Sequence, residues 1–227
     1  MTNLLLIGHG RMGRLVEQLA AAHDCRVAGI VTHGSAPELA TKEFGPVDVA
    51  IDFSLASAVK ANLAVMADRH WNVVIGTTGW QGDLEACRTL AEQAGIGVLA
   101  SANFSIGVHV FKWLAAEASR RFAGMSNVGA WIHESHHAAK KDAPSGTAVL
   151  LKHAMEQAGY ARPIDVSSTR AGSIPGTHEV GFDAPTESVT LVHQVRDRAV
   201  FAHGALEAAQ WLKGKRGWFS MDDMLRK

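Results

Sequence analysis

Cysteine is scarce in this sequence: Cys25 and Cys87 are its 2 thiols in 227 residues. Two thiols cannot build a disulfide framework, and they fall at a strand start and in a helical segment rather than in a metal-ligand pair, which fits a reducing cytoplasm. An excess of charge of either sign is also missing, since 22 basic side chains face 22 acidic ones. That balance argues against nucleic acid or an anionic membrane as partner, so any basic cluster serves a small molecule. Long apolar runs are absent too; none approaches the roughly 20 residues that a membrane-spanning helix needs. The opening "MTNLLLIGHG" lacks a basic leader and runs straight into glycines, unlike a secretory signal. Neither internal repeats nor low-complexity tracts occur. What is present is a hydrophobic content of 47%, ample for a packed core.

Apolar runs alternate with helical patterns in the N-terminal part, the mark of a parallel sheet with crossover helices. Strand candidates are "LLLI" (4–7), "RVAGIV" (26–31), "VDVAIDF" (47–53), "NVVIG" (72–76) and "GVLAS" (97–101), separated by helix-like segments at 11–22, 55–70 and 84–94. Further on, "SIGVHVFKWLAAEASRRF" predicts a long helix, "NVGAWIHE" a strand and "TAVLLKHAMEQAG" a second helix. "RPIDVSSTR", "GTHEVGFDA" and "ESVTLVHQV" then alternate at period two, as in a sheet covered on one face. The chain returns to helix at 199–212. The pattern predicts an α/β fold: a Rossmann-like doubly wound parallel sheet over 1–104 plus 199–227, with an inserted α+β domain at 105–198.

The first chemical signal is "GHGRMG", where Gly8, Gly10 and Gly13 follow the first strand and open the first helix. In a G-x-G-x-x-G turn the first glycine permits the bend, the second lets a pyrophosphate approach the backbone, and the third lets helix pack on strand. His9, Arg11 and Met12 complete the candidate cofactor cradle, with phosphates at the helix N-terminus. Any glycine-rich strand-helix turn can match so short a motif; its place at the head of an alternating β/α pattern strengthens it. The acid expected about 20 residues on is missing, and Thr32 and His33 stand in its place. Without that carboxylate nothing repels a 2'-phosphate, and no arginine recognises one strongly. The expectation is use of both NADPH and NADH with a slight lean to NADPH. The loops "IGTTGW" and "SANFSIG" follow the fourth and fifth strands, where a doubly wound sheet opens its ligand crevice, so Gly76, Thr77, Thr78, Ser101, Ala102, Asn103 and Phe104 join the candidates. Taken singly, each of these residues reads equally well as part of a turn.

The segment "WIHESHHAAKKDAPSGTA" (131–148) poses a choice, because His133, Glu134 and His137 spell H-E-x-x-H. That motif binds zinc only when a helix puts both histidines on one face. Here it is entered from a β-branched, aromatic run and followed by the turn "DAPSG", and no third ligand stands at a recognisable spacing, so no metal is expected. The segment has another use. His136, His137, Lys140 and Lys141 gather up to four cationic donors in six residues. Ser145 suits an N-cap, which would leave the Gly146 and Thr147 amides as open donors at a helix start, a place that binds carboxylates. The plain alternative is a solvated basic loop.

"ESHHAAKKDAPSGTA" resembles the H-H-x-x-K-x-D-A-P-S-G-T-A signature of the 4-hydroxy-tetrahydrodipicolinate (dihydrodipicolinate) reductase family. "GTTGW", "SANFSIGVHV", "AGSIPGTHEVGF" and "RAVFAHGALEAAQWL" extend the resemblance along the chain in order. It implies a nicotinamide-binding Rossmann-like domain and an inserted domain whose open mixed sheet builds a homotetramer. Hydride would pass to C4 of a conjugated cyclic imine carrying two carboxylates. His136 resembles the proton donor and Lys140 a second acid or clamp, while His137, Ser145, Gly146 and Thr147 resemble the carboxylate binders. Arg198 matches a family arginine. The chain departs from many members in a glycine turn one residue shorter and in lacking the acid after the second strand. A dinucleotide sensor of the same fold without turnover is the non-enzymatic rival. A semialdehyde or acyl-phosphate reductase would need a thiolate that Cys25 and Cys87 are badly placed to supply.

Overall fold

The computed structural model of the protein describes residues 1–32 and 36–226. In chain order the elements are β1 (Thr2–Ile7), α1 (Arg11–Leu19), β2 (Cys25–Val31), α2 (Ala36–Thr41), β3 (Val49–Asp52), α3 (Val59–Asp68), β4 (Asn72–Ile75), α4 (Leu84–Ala94) and β5 (Gly97–Ala100). There follow α5 (Ile106–Phe122), β6 (Gly129–His136), α6 (Gly146–Gln157), β7 (Ile164–Arg170), β8 (Thr177–Asp183) and β9 (Ser188–Gln194). The chain closes with α7 (Ala199–Leu212), β10 (Gly217–Phe219) and α8 (Met221–Leu225). It divides into two compact units, Met1–Ser105 with the segment from Ala199 on, and Ile106–Arg198.

In the first unit six strands pair in the order β10-β5-β4-β3-β1-β2, all parallel. A parallel sheet is covered on both faces, which is why its strands are unbroken apolar runs: Leu4, Leu5, Leu6 and Ile7 are all buried. The chain starts in mid-sheet, steps out to β2, then crosses to β3, so the order reverses between β1 and β3. Ligands bind at such a switch point, at the carboxyl ends of the strands. Helix α7 reaches this layer through small residues. A Cβ at Gly204 would lie 1.8 Å from the Phe104 carbonyl oxygen, so only glycine permits that approach.

The doubly wound sheet expected from the sequence is present, with two differences. The sixth strand, β10, is three residues long, too short for a period to register, and it is defined by pairing with β5. Helix α2 has six residues beginning Ala-Pro and carries no readable amphipathic repeat.

In the second unit four strands run β7-β6-β8-β9, with β6 and β7 parallel and the other neighbours antiparallel. Phe111 and Ala115 of α5 and Ala148, Leu151 and Met155 of α6 cover one face, packing on Ala130, Ile132, Ile164, Val180 and Phe182. Trp131, His133, Ser167 and Val192 lie on the opposite face by the two-residue alternation of a strand, and Val192 is 59% exposed. Strand β6 runs to His136, two residues beyond the expected end, because its pairing with β7 continues to His136 and Arg170. Among the described residues no helix is long and apolar enough to cross a membrane.

Candidate active site

The glycine turn has the geometry its sequence requires. Gly8 has φ +87°, and a Cβ there would strike the Phe53 carbonyl oxygen at 2.3 Å. A Cβ on Gly13 would meet the Gly8 oxygen at 2.1 Å, which is the close helix-strand packing the third glycine serves. Gly10 caps α1 without a side-chain bond and faces open space. A cleft of about 400 Å³ is lined by Gly10, Arg11, Met12, Phe53, Ser54, Leu55, Ala56, Gly76, Thr77 and Thr78. An open helix N-terminus on a cleft fits a dinucleotide pyrophosphate.

Beneath this cleft lies buried Asp52, which sequence reading did not single out. Its carboxylate accepts from the Ser54 amide at 2.8 Å, the Thr77 hydroxyl at 2.8 Å and Asn62 at 3.3 Å, so it fixes the loops after β3 and β4. Ser101 and Ala102 line a neighbouring cavity of about 390 Å³ with Thr77, Trp80 and Trp218. Asn103 folds back on Ser101, whose hydroxyl donates to its carbonyl at 2.7 Å. Phe104 is buried against Phe53 and serves packing. His9 pairs with Glu17 at 2.7 Å. Thr32 is the last described residue before 33–35, and the expectation for His33 falls outside the described residues.

In the second unit, the end of β6 and the loop into α6 bring the basic cluster together. Ser145 caps α6, accepting from the Ala148 amide at 3.2 Å, and contacts His178 Nε2 at 3.0 Å. The Lys140 ammonium donates to both Asp142 oxygens at 2.8 Å. Lys140 first, and the nearby Gly146 amide that was expected as an open donor, hold the Asp142 carboxyl below the usual carboxylate range. The reason is local: an acid three residues before the N-cap folds onto the helix start and serves there as an anion of the chain's own. His137 is half-buried, and its carbonyl accepts from the Lys140 amide at 3.0 Å. Lys141 is exposed, as is Arg198 on the segment between β9 and α7.

Inside the sheet lies a network that the sequence does not assemble, since Arg170 and His178 stand far from Glu134 and His136 along the chain. Glu134 is fully buried and bonds to His136 Nδ1. Its two oxygens also accept from Arg170 at 2.6 and 3.0 Å, and Oε1 from the Ser145 amide at 3.2 Å. Burial pushes Glu134 upward, yet the hydrogen bonds from Arg170, Ser168 and His136 outweigh it and hold the carboxyl at about 2. Burial lowers His136, against an upward pull from Glu134 and with further lowering by Lys140 and Arg170. His178, 4% exposed, is driven to about 4 by burial and by neighbouring His136.

The helix that would align H-E-x-x-H does not form. His133 points to the open face and contacts Ser167 Oγ at 2.8 Å, while Glu134 points inward. Ligand atoms of Glu134, His136 and His178 do lie within 4.8 Å of one another. The Arg170 guanidinium already neutralises that carboxylate, so the group is built as a hydrogen-bond network around a cation.

This geometry can be set beside known proteins. The family models described as dihydrodipicolinate reductase, N-terminus and C-terminus, match residues 2–104 and 107–225. A protein of Stenotrophomonas maltophilia named 4-hydroxy-tetrahydrodipicolinate reductase is 38% identical over 246 residues, covering 99% of each chain. One of the same name from Christiangramia forsetii is 32% identical, over 98% of this chain and 97% of its own. Among solved structures, a dipicolinate-bound dihydrodipicolinate reductase from Paenisporosarcina sp. TG-14 shares the fold with a TM-score of 0.83 at 20% identity, covering 99% of this chain and all (100%) of that one. The resemblance first carried by the 134–148 segment thus extends over nearly the whole chain, and the chain belongs to the dihydrodipicolinate reductase family.

Proposed function

We propose that the protein reduces 4-hydroxy-tetrahydrodipicolinate to tetrahydrodipicolinate with NADPH or NADH, leaning slightly to NADPH, in the cytoplasmic synthesis of diaminopimelate and lysine. The observation that carries this reading is the loop 136–147: a histidine backed by a buried carboxylate, a lysine and a capped helix start stand within a dozen residues. Such a set suits a small heterocycle with two carboxylates and one carbon to be protonated. Relatives named for this reaction over their full length support it.

When bound, the reduced nicotinamide would supply the hydride that C4 receives in the conjugated cyclic imine, which forms from the 4-hydroxy compound when its hydroxyl leaves as water. Gly8 to Gly13 would hold its pyrophosphate at the start of α1, with Gly76 to Thr78 and Ser101 to Asn103 beside the ring. Lys140, His137 and the Ser145 to Thr147 turn would bind the substrate carboxylates, which must displace Asp142 from Lys140 and Gly146. His136 would give its proton to the carbanion left by hydride addition, completing uptake of one hydride and one proton. Histidine suits that task because its charge changes near neutral pH. Arg198 is proposed as a further carboxylate contact. The open face of the β6 to β9 sheet is proposed as the surface through which four copies associate.

The test is NADPH oxidation followed by absorbance while the substrate is generated in situ. Oxidation that depends on the substrate, with NADH favoured or disfavoured by less than tenfold, is expected. Tight cofactor binding without turnover would instead indicate a sensor, and a tenfold preference for NADH would overturn the lean.

A further inference from the structure

Resting on that reading, we propose that buried Glu134 and partly buried Arg170 are a positioning pair that keeps the His136 ring proton on Nδ1 and presents Nε2 as the atom that delivers the proton. Three independent features carry this. The first is register: β6 and β7 run parallel with His136 opposite Arg170 and Glu134 opposite Ser168, so all three functional side chains leave the same face. The second is saturation. Both Glu134 oxygens are taken by Arg170, one of them also by the Ser145 amide and the other by His136 Nδ1. Arg170 is itself anchored to the carbonyls of Thr169 at 2.8 Å and Asp142 at 2.5 Å. An ionised carboxylate only accepts, so Nδ1 must carry a hydrogen. The third is the room left at the other nitrogen. Gly176 runs past the ring with φ +151°, and a Cβ there would stand 3.1 Å from Nε2. Among the described residues the side-chain hydrogen bonds of His136 are made at Nδ1 alone.

The arrangement also sets the proton's availability. The charged or titratable groups around the ring are Glu134 on its own strand, Arg170 on β7, His178 on β8 with ring centroids 5.1 Å apart, and Lys140 on the following loop. Glu134 favours the imidazolium, while Arg170 and Lys140 oppose it. Arg170 therefore limits the pull of Glu134, and loss of either partner moves His136 in opposite directions. A pair that served folding alone would give no such opposition.

The experiment is a pH series of long-range ¹H–¹⁵N spectra of the histidine rings in the full chain, for wild type, Glu134→Gln and Arg170→Gln, with His136→Gln as the assignment control. The neutral His136 ring is expected to carry its hydrogen on Nδ1. Its midpoint should move down in Glu134→Gln and up in Arg170→Gln, and the pH limb of kcat should follow both. In Glu134→Gln kcat should fall about tenfold or more while KM stays within about twofold, the signature of a group felt only in the transition state. A neutral wild-type ring protonated on Nε2, or midpoints that move the same way in both variants, overturns the proposal. The wild-type spectrum decides even if a variant fails to fold. Turnover in wild type with the wrong tautomer would sink the pair and leave the reaction standing; the expected spectra without turnover would do the reverse.

Discussion

As the proposed proton donor, His136 would surrender a proton from a half-buried site, and burial opposes the charge it would carry. Glu134 offsets that opposition, which explains why a carboxylate held at about 2 lies one strand position pair away. Donation needs the protonated ring, so kcat falls as pH rises through the His136 value, which lies below the ordinary 6.5. Replacing His136 by Gln should lower kcat about a hundredfold or more with a much smaller change in KM; steady-state rates that stay at the wild-type level would remove His136 from the role. His136, His137, Lys140 and Ser145 were legible in the sequence because one short segment carries them. Arg170 and His178 stand 34 and 42 residues further along than His136, and only sheet register brings them to it. Glu134 was visible but invited a zinc reading, since a carboxylate flanked by histidines looks alike in a strand and in a helix until the backbone is known. Asp142 was read as part of a turn, whereas it occupies donors assigned to substrate.

At the level of elements, long periodic segments were readable and short ones were not. Helices α4, α5 and α7 stand where their patterns put them, because each has eleven or more residues over which an apolar face repeats. The three-residue β10 depends on β5 for its existence, so no local signal marks it. Close packing left a clearer trace: "AVFAHGALEAAQWL" is rich in small residues, and its Gly204 meets the Phe104 backbone. A methyl group there cannot be absorbed by rotating a side chain, because the atom it strikes is a carbonyl oxygen. Gly204→Ala should therefore cost about 2 kcal/mol or more of stability, read as a lowered urea midpoint, and an unchanged midpoint would show that α7 shifts freely.

For the whole molecule, acid stability follows from the same buried groups, and the proposed assembly from the open sheet face. His178 has a folded value of about 4 against an ordinary 6.5, so between these the unfolded chain binds the extra proton and stability falls as pH falls. The penalty is absent above about pH 6.5 and reaches on the order of 3 kcal/mol near pH 4. Glu134 adds a second loss from its ordinary 4.5 down to about 2. His178→Gln should flatten the upper of these two windows in urea titrations at stepped pH, and an unaltered slope between pH 6.5 and 4 would contradict the assignment. The exposed Val192 sits on the sheet face proposed to join four copies. Val192→Lys should convert a tetramer into smaller species by sedimentation, and a tetramer unmoved by that charge would place the interface elsewhere.

The claim on which the rest depends is that the 136–147 loop and the start of α6 hold a dicarboxylate. A crystal of the protein grown with pyridine-2,6-dicarboxylate tests it directly. The account predicts the ligand's carboxylates on Lys140, His137 and the Gly146 and Thr147 amides, with Asp142 displaced and His136 Nε2 facing the ring. Density for the ligand away from this loop, with the Lys140 and Asp142 pair intact, would contradict it.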